Sequence, residues 1–357
     1  MTLLVRNEAD IIEANLDYHL AQGVDFVIVT DHGSSDGTDE LLRRYELDGS
    51  VAVLREEGDG HHQSVRVTRM AQLALSRHDA DWVIHNDADE FWWPLSGSLR
   101  DVFAAIPPAY AQIEVQRRNF LPAPDGAGPF YSRLIYRDAQ SLNPSGRPLE
   151  PKVAHRAHPD VVVAPGNHSI SGAALRPVPV GELLEIFHFP MRSYDQFERK
   201  VIQTGIGYET LEHRSPEVGR DQLKLLALYR EQGLREYYER ALLDDAALQR
   251  GLADASIVLD RRLERFMRAL PKSVPAAKRP DGSATRSLVA NTLAGFLELD
   301  SARQALANEQ AEAGALRRRL AELQAELAAT GEALRLLRGS RLVRWSAPLR
   351  RLYYRRR

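Results

Sequence analysis

Over residues 1–91, short apolar runs alternate with stretches of helical spacing. Thr2 to Val5 is such a run and predicts a first strand, which the polar turn Arg6-Asn7-Glu8-Ala9-Asp10 ends. Ile11, Ile12, Asn15, Leu16, His19 and Leu20 then fall at helical spacing, with Gly23 as the stop. Val24 to Thr30 predicts a second strand, Val51 to Leu54 a third, and the run from Trp82 to Asn86 a fourth. Between them, helices are predicted through Leu41 and Leu42 and over about 63–77. The loop Asp31 to Thr38 is made of turn and capping residues, with Asp36 or Thr38 suited to cap the next helix.

This alternation implies crossover connections, hence an α/β fold with a mostly parallel sheet covered on both faces. In open sheets of this kind the ligand lies beyond the carboxyl ends of the strands. Arg6, Asn7 and Glu8 fall there after the first strand and Asp31 after the second, with Arg55 and Glu56 after the third and Asp87 and Asp89 after the fourth. Asp87 and Asp89 are two residues apart where a buried strand leaves the sheet, so their carboxylates can converge on one cation. Two carboxylates plus diphosphate oxygens suit a hard divalent metal.

Beyond residue 100 the periodicity weakens. Ala111 to Gln116 predicts a strand, followed by a Pro/Gly-rich loop to Pro129 of the kind that handles an acceptor. Glu185 to Phe189 predicts another strand. From Ser193 the chain turns helical, with helices expected over 195–205, 221–243 and 261–270 and a linker over 271–287. Ala313, Leu316, Leu320, Leu323, Leu327, Thr330, Leu334 and Leu337 then alternate three and four apart, the signature of a coiled coil; the expected partner is a second or third copy, with packing back on the body the alternative.

Composition adds three constraints. With 44% apolar and 27% charged residues the 357-residue chain is of soluble, globular type. The net charge of -2 argues against nucleic acid as a partner of the whole molecule. Yet residues 341–357 hold seven Arg and no acid, interleaved with Leu, Val, Trp and Tyr. That pattern suits an anionic membrane surface, with nucleic acid the competing partner. The absence of cysteine excludes disulfides and thiolate metal sites and fits a reducing compartment. Arg6, Glu8 and Asp10 break any secretory signal pattern, and no run approaches the roughly 20 apolar residues of a membrane span. The expected location is cytoplasmic, peripheral at the inner face of the cell membrane.

Two local patterns carry less. Counting from Asp31, an EF-hand loop needs Gly at its sixth position and an acid at its twelfth, where this chain has Asp36 and Leu42. Adjacent His61 and His62 diverge and read as a solvated loop. Arg66 and Arg69, three apart on the third helix, share a face that can pair with phosphate.

Leu4-Val5-Arg6-Asn7-Glu8, Val29-Thr30-Asp31-His32-Gly33-Ser34-Ser35-Asp36-Gly37-Thr38 and Asn86-Asp87-Ala88-Asp89-Glu90-Phe91, in this order, resemble the signatures of family 2-like glycosyltransferases with the GT-A fold. Asp89-Glu90-Phe91, Phe187-His188-Phe189 and Arg192-Ser193 are most similar to the bacterial branch related to family 92. The resemblance covers about residues 1–100 well and 101–205 loosely. It implies a nucleotide-sugar donor and a hydroxyl acceptor, plausibly a growing cell-surface polysaccharide or its lipid carrier, with transfer by inversion. By it, Val5, Arg6, Asn7, Glu8, Asp31, Ser35, Asp36, Arg66, Arg69 and Asp87 hold the donor. Asp87 and Asp89 bind Mn2+ or Mg2+, and a late histidine completes the metal shell. Among His155, His158, His168 and His188 we expect His188, at the end of its strand, with His168 next. Imidazole favours Mn2+. Inversion needs one general base, and Glu150, Glu182, Glu185 and Asp195 are the candidates. The chain then divides into a GT-A domain over 1–215, a helical extension and linker over 216–296, a coiled coil over 297–338 and a basic amphipathic tail over 339–357. The rivals are a sugar nucleotidyltransferase, which needs a Gly-rich loop where Arg6-Asn7-Glu8 stands, a phosphatase using Asp87 as nucleophile, and a coiled-coil scaffold with a dead sugar-nucleotide site.

Overall fold

The computed structural model describes residues 1–56, 63–143, 146–178, 183–211, 218–271 and 283–339. His61, His62, Glu182, most of the expected linker and the basic tail lie outside the described residues. The chain forms two units, Met1–Leu293 and Ala294–Arg357. The first begins β1 (Thr2–Val5), α1 (Ile12–Ala21), β2 (Val27–Asp31), α2 (Thr38–Leu47), β3 (Val51–Arg55), α3 (Gln63–His78), β4 (Trp82–Asp87), β5 (Glu90–Pro94), α4 (Leu99–Ala105), β6 (Gln112–Val115) and β7 (Arg117–Asn119). It continues with α5 (Phe130–Arg133), β8 (Tyr136–Asp138), β9 (Lys152–Arg156), β10 (Val162–Val163), β11 (Ile170–Ser171), β12 (Leu184–His188) and α6 (Tyr194–Glu209). Then come α7 (Arg220–Arg230), α8 (Leu234–Ala241), α9 (Asp245–Ala253), β13 (Ile257–Leu259) and α10 (Arg262–Ala269), before one long helix, α11 (Ser283–Gly339).

The main sheet has the order β3-β2-β1-β4-β9-β6. β1 pairs in parallel with β2 and β4, and β2 with β3, whereas β9 runs antiparallel to both β4 and β6. The sheet is thus mixed. The reversal enters at β9, in the segment without periodicity, and the reason is physical. Lys152, Val153, Ala154 and His155 are all buried, so no alternation of apolar and polar positions marks the strand. A second sheet, β5-β12-β7, pairs β12 antiparallel to β5 and parallel to β7.

Helix α3 covers one face of the main sheet. Val67, Met70, Ala71 and Ala74 recur at helical spacing and pack with Ile28, Val83, Val161 and Val163. On α1, Ile12 and Leu16 are fully buried, and Tyr18 donates its hydroxyl to the Trp92 carbonyl at 2.9 Å. The helix expected over 221–243 is two helices, α7 and α8. Gln232 takes a left-handed φ of 62° between them, next to Gly233, which the side-chain periodicity alone does not register. In α6 and α8, Tyr194, Phe197 and Val201 pack against Leu234 and Tyr238.

In α11 the described leucines are exposed, among them Leu316 at 71%, Leu320 at 58% and Leu327 at 75%. No described helix is long and apolar enough to cross a membrane.

Candidate active site

Between β4 and β5 only Ala88 and Asp89 intervene, so the chain passes from the main sheet to the second sheet in one tight link. Buried Asn15 of α1 holds that link, its Nδ2 donating to the carbonyls of Ala88 at 2.9 Å and Glu90 at 2.8 Å. The register of β12 on β5 sets His188 opposite Glu90. The Phe189 N–H then donates to the Asp89 carbonyl at 2.9 Å. Backbone pairing therefore brings together side chains about a hundred residues apart in sequence. Ligand atoms of Asp89, Glu90 and His188 all lie within 4.8 Å of one another.

The set is buried and strongly charged. Burial works against ionisation of Asp89, but Lys200, His188 and Arg192 outweigh it and hold its carboxyl well below the usual range. Lys200 Nζ lies on Asp89 Oδ2, and His188 Nε2 is 3.8 Å from that same oxygen. Burial pushes Glu90 up to about 7, against the pull of Lys152. Lys152 is buried, with its ammonium on Asp87 and 3.3 Å from Glu90 Oε1; Arg117 stands 3.5 Å from the same atom. Burial lowers His188 to about 3, so the ring is neutral at neutral pH. Its Nδ1 is paired with Asn119 Oδ1 at 3.0 Å. That pairing makes Nδ1 the protonated nitrogen and leaves the Nε2 lone pair facing Asp89.

Two carboxylates and one neutral imidazole are donor chemistry compatible with a divalent cation. Glu90 Oε2 is buried and has no hydrogen-bond partner among the described residues, as an oxygen kept for a ligand would be. The residues present fit a metal ion. Asp87 is not one of these three, though Lys152 links it to Glu90. Its carboxylate accepts from Lys152 and from Asn167 Nδ2 at 3.1 Å.

The loops after β1 and β2 are braced against each other. Asn7, at a left-handed φ of 57°, donates its N–H to Ser34 Oγ at 2.9 Å and accepts the Ser35 N–H on Oδ1 at 2.7 Å. Asp31 Oδ1 accepts from Ser34 Oγ at 2.5 Å. Asp36 reaches across to the Ala9 N–H at 3.0 Å, while its other oxygen accepts from Thr38. Helix α2 itself is capped by Gly37, not by Asp36 or Thr38. Glu8 and Asp10 both grip the buried Arg192, at 2.6 Å each, which ties the first loop to the segment after β12. Val5 is buried in β1 and Arg6 is exposed. Arg66 and Arg69 share Glu56, at 2.8 and 2.9 Å, and Arg66 also contacts His32 at 3.2 Å.

Of the expected bases, Glu185 is taken by Arg118 at 3.1 Å and Arg262 at 2.8 Å, on the β12 face opposite His188. Asp195 is exposed in the first turn of α6. Glu150 is exposed, 3.3 Å from His168 Nε2. Neither of these stands in the Asp89 group. His155 is buried against His85 at 2.9 Å and His158 lies by Asp160, both away from it. Glu90, Lys152, Asn167 and Lys200 are the residues that pattern reading misses. Glu90 sits inside a quoted motif, so position is its signal. The lysines carry none, because one lies on an unmarked strand and the other on a helix like its neighbours.

Residues 4–123, about a third of the chain, match the model of glycosyltransferase family 92. No curated protein matches the chain. Among solved structures, S. aureus TarS 1–349 is similar at 15% identity and a TM-score of 0.35, over 74% of this chain and 88% of that one. The same protein in complex with UDP aligns at 15% identity and a TM-score of 0.35, over 79% and 94%. Glucosyl-3-phosphoglycerate synthase from Mycobacterium tuberculosis aligns at 18% identity and a TM-score of 0.23, over 33% and 43%. Likenesses this distant fix neither substrate nor mechanism. The family match spans β1 to the loop beyond β7, and with it Asp87, Asp89 and Glu90. Those residues therefore carry a family 92-like glycosyltransferase domain, and the chain is a glycosyltransferase.

Proposed function

We propose that the chain moves a sugar from a nucleotide-diphosphate sugar to a hydroxyl acceptor, with a divalent cation and by inversion. The observation that carries this reading is the convergence of Asp89, Glu90 and His188 at the carboxyl end of β4. A cation there supplies Lewis-acid stabilisation to the leaving diphosphate. Asp89, Glu90 and the Nε2 of His188 would hold it. Asp87, fixed by Lys152 and Asn167, and the braced loops at Arg6–Glu8 and Asp31–Asp36 would line the donor. Arg66 and Arg69 add positive charge at the end of β3. Support for Glu150 as the base comes from its exposed carboxylate beside His168, two residues before the lysine that grips Asp87. A base must meet the acceptor hydroxyl directly, and Glu185 is already committed to two arginines. We further propose that the exposed leucine stripe of α11 pairs with a second copy, since a lone helix would leave it wet.

The test is turnover of a panel of UDP-, GDP-, CMP- and dTDP-sugars with Mn2+, the donor being chosen by thermal shift. Asp89→Ala abolishes turnover and Glu150→Gln lowers kcat by about a hundredfold or more, the range of general-base catalysis, with KM little changed. A wild-type chain that binds no nucleotide sugar in the presence of metal overturns the proposal.

A further inference from the structure

Two lysines face the acids of this site, and they differ in freedom. Lys152 is 1% exposed and wedged between Asp87 and Glu90. Lys200, on α6, is 39% exposed, while the Asp89 side chain it covers is only 4% exposed. Its ammonium lies on Asp89 Oδ2, the oxygen that also faces His188 Nε2. A buried carboxylate needs an opposite charge or its burial is strongly unfavourable, and Lys200 supplies that charge on a flexible four-carbon stem. A metal ion bridging Asp89 and His188 needs the same oxygen. An ammonium and a divalent cation on that one oxygen repel each other, so each weakens the other's hold on it.

We propose that Lys200 is a tethered rival of the metal ion: its ammonium must leave Asp89 before a divalent cation can use that carboxylate. The proposal rests on the reading of Asp89, Glu90 and His188 as the metal-binding group. The ammonium has somewhere to go. Its half-exposed stem opens to solvent, and Glu8 already attracts it electrostatically. The diphosphate of a bound donor is a further anion in the same place. The metal-competent form is thus the one with Lys200 withdrawn. The apparent affinity for the cation is reduced by the fraction of chains in that form. Lys152, fully enclosed between Asp87 and Glu90, has no such freedom.

The test is direct binding of Mn2+ to the full chain, read by electron paramagnetic resonance as loss of the free-ion signal, with no sugar nucleotide and no turnover. Lys200→Met keeps an unbranched side chain, one atom shorter, and removes the charge; it binds Mn2+ about tenfold more tightly than the wild type. Lys200→Arg, whose guanidinium grips a carboxylate through two N–H groups, binds no more tightly than the wild type. Arg199→Met removes a charge from the exposed neighbouring position of α6 and leaves Mn2+ affinity unchanged. Equal affinity in wild type and Lys200→Met overturns this inference and leaves the metal site standing. Equal tightening in Arg199→Met also overturns it, because long-range charge is then sufficient. If neither wild type nor Lys200→Met binds Mn2+, the metal-binding group itself is refuted and the inference falls with it. Should Lys200→Met not fold, as seen by circular dichroism, Lys200→Gln takes its place with the same expected outcomes.

Discussion

Replacing Lys152 with Met tests the electrostatics of the site without touching a proposed metal ligand. The substitution keeps the unbranched apolar stem and deletes one ammonium. In the wild type that ammonium serves Asp87 and Glu90 at once, and Glu90 is fully buried. Without it, Arg117, at 3.5 Å, is the cation left to Glu90 among the described residues. Removing one partner of a buried pair destabilises by about 3–5 kcal/mol. Glu90 has one escape, which is to take up a proton. Burial, opposed by Lys152, raises its pKa from an ordinary 4.5 to about 7. The folded chain therefore binds more protons than the unfolded chain between those values. The stability that Glu90 contributes falls as pH rises through that window, by about 1.4 kcal/mol per pH unit, and levels off above it. Loss of Lys152 extends the window upward, so the variant goes on losing stability where the wild type has levelled. The expected deficit in urea denaturation is about 1 kcal/mol at pH 6, where protonation relieves Glu90, and about 3–5 kcal/mol at pH 8.5. In melting temperature the alkaline deficit is roughly 10 °C. A deficit that is equal at the two pH values refutes the role given to Glu90. One below about 1 kcal/mol at pH 8.5 refutes the buried pair.

Acid acts through the histidines. Burial lowers His19 and His188 to about 3 and also depresses His85 and His155. The unfolded chain then binds more protons below about 6.5. The stability these rings contribute is complete above that value and falls as pH drops through it, by about 1.4 kcal/mol per unit for each ring. Four rings outweigh the opposite trend of the single Glu90, so a melting temperature that is flat between pH 7 and pH 5 contradicts this. For α11, light scattering on the full chain is expected to show a defined oligomer that Leu320→Lys with Leu327→Lys dissociates, and a monomeric wild type removes the coiled-coil proposal.

How much of the site was legible depended on where its information lay. The four parallel strands of the main sheet were visible because each is a short apolar run bounded by turn residues. Their charged carboxyl ends followed from the alternation with helices. Asp89 and His188 were legible as candidates, one after a buried run and the other at a strand end. Their meeting was expected only through the family resemblance; the register that sets His188 against Glu90 is what brings it about, and no local pattern shows it. Glu90 was readable only as part of a motif. Its ligand-like character comes from burial, which the sequence does not carry.

The sequence by itself determined the local periods: the βα alternation, the polar loops at Arg6–Glu8 and Asp31–Asp36, the acids after Trp82–Asn86 and the heptads of α11. Each is set by residues within a few positions of one another, through backbone geometry and side-chain spacing. Only the tertiary structure decided that the sheet is mixed, that Asp87 turns to Lys152 and Asn167, and that Lys200 reaches Asp89 across 111 positions of chain. Those are contacts between distant segments, and a charge on a helix face is the same letter whether it meets water or a buried carboxylate. The strength of the site arises there, because desolvation and the pairing of opposite charges in a dry place exist only once the sheets have closed around them.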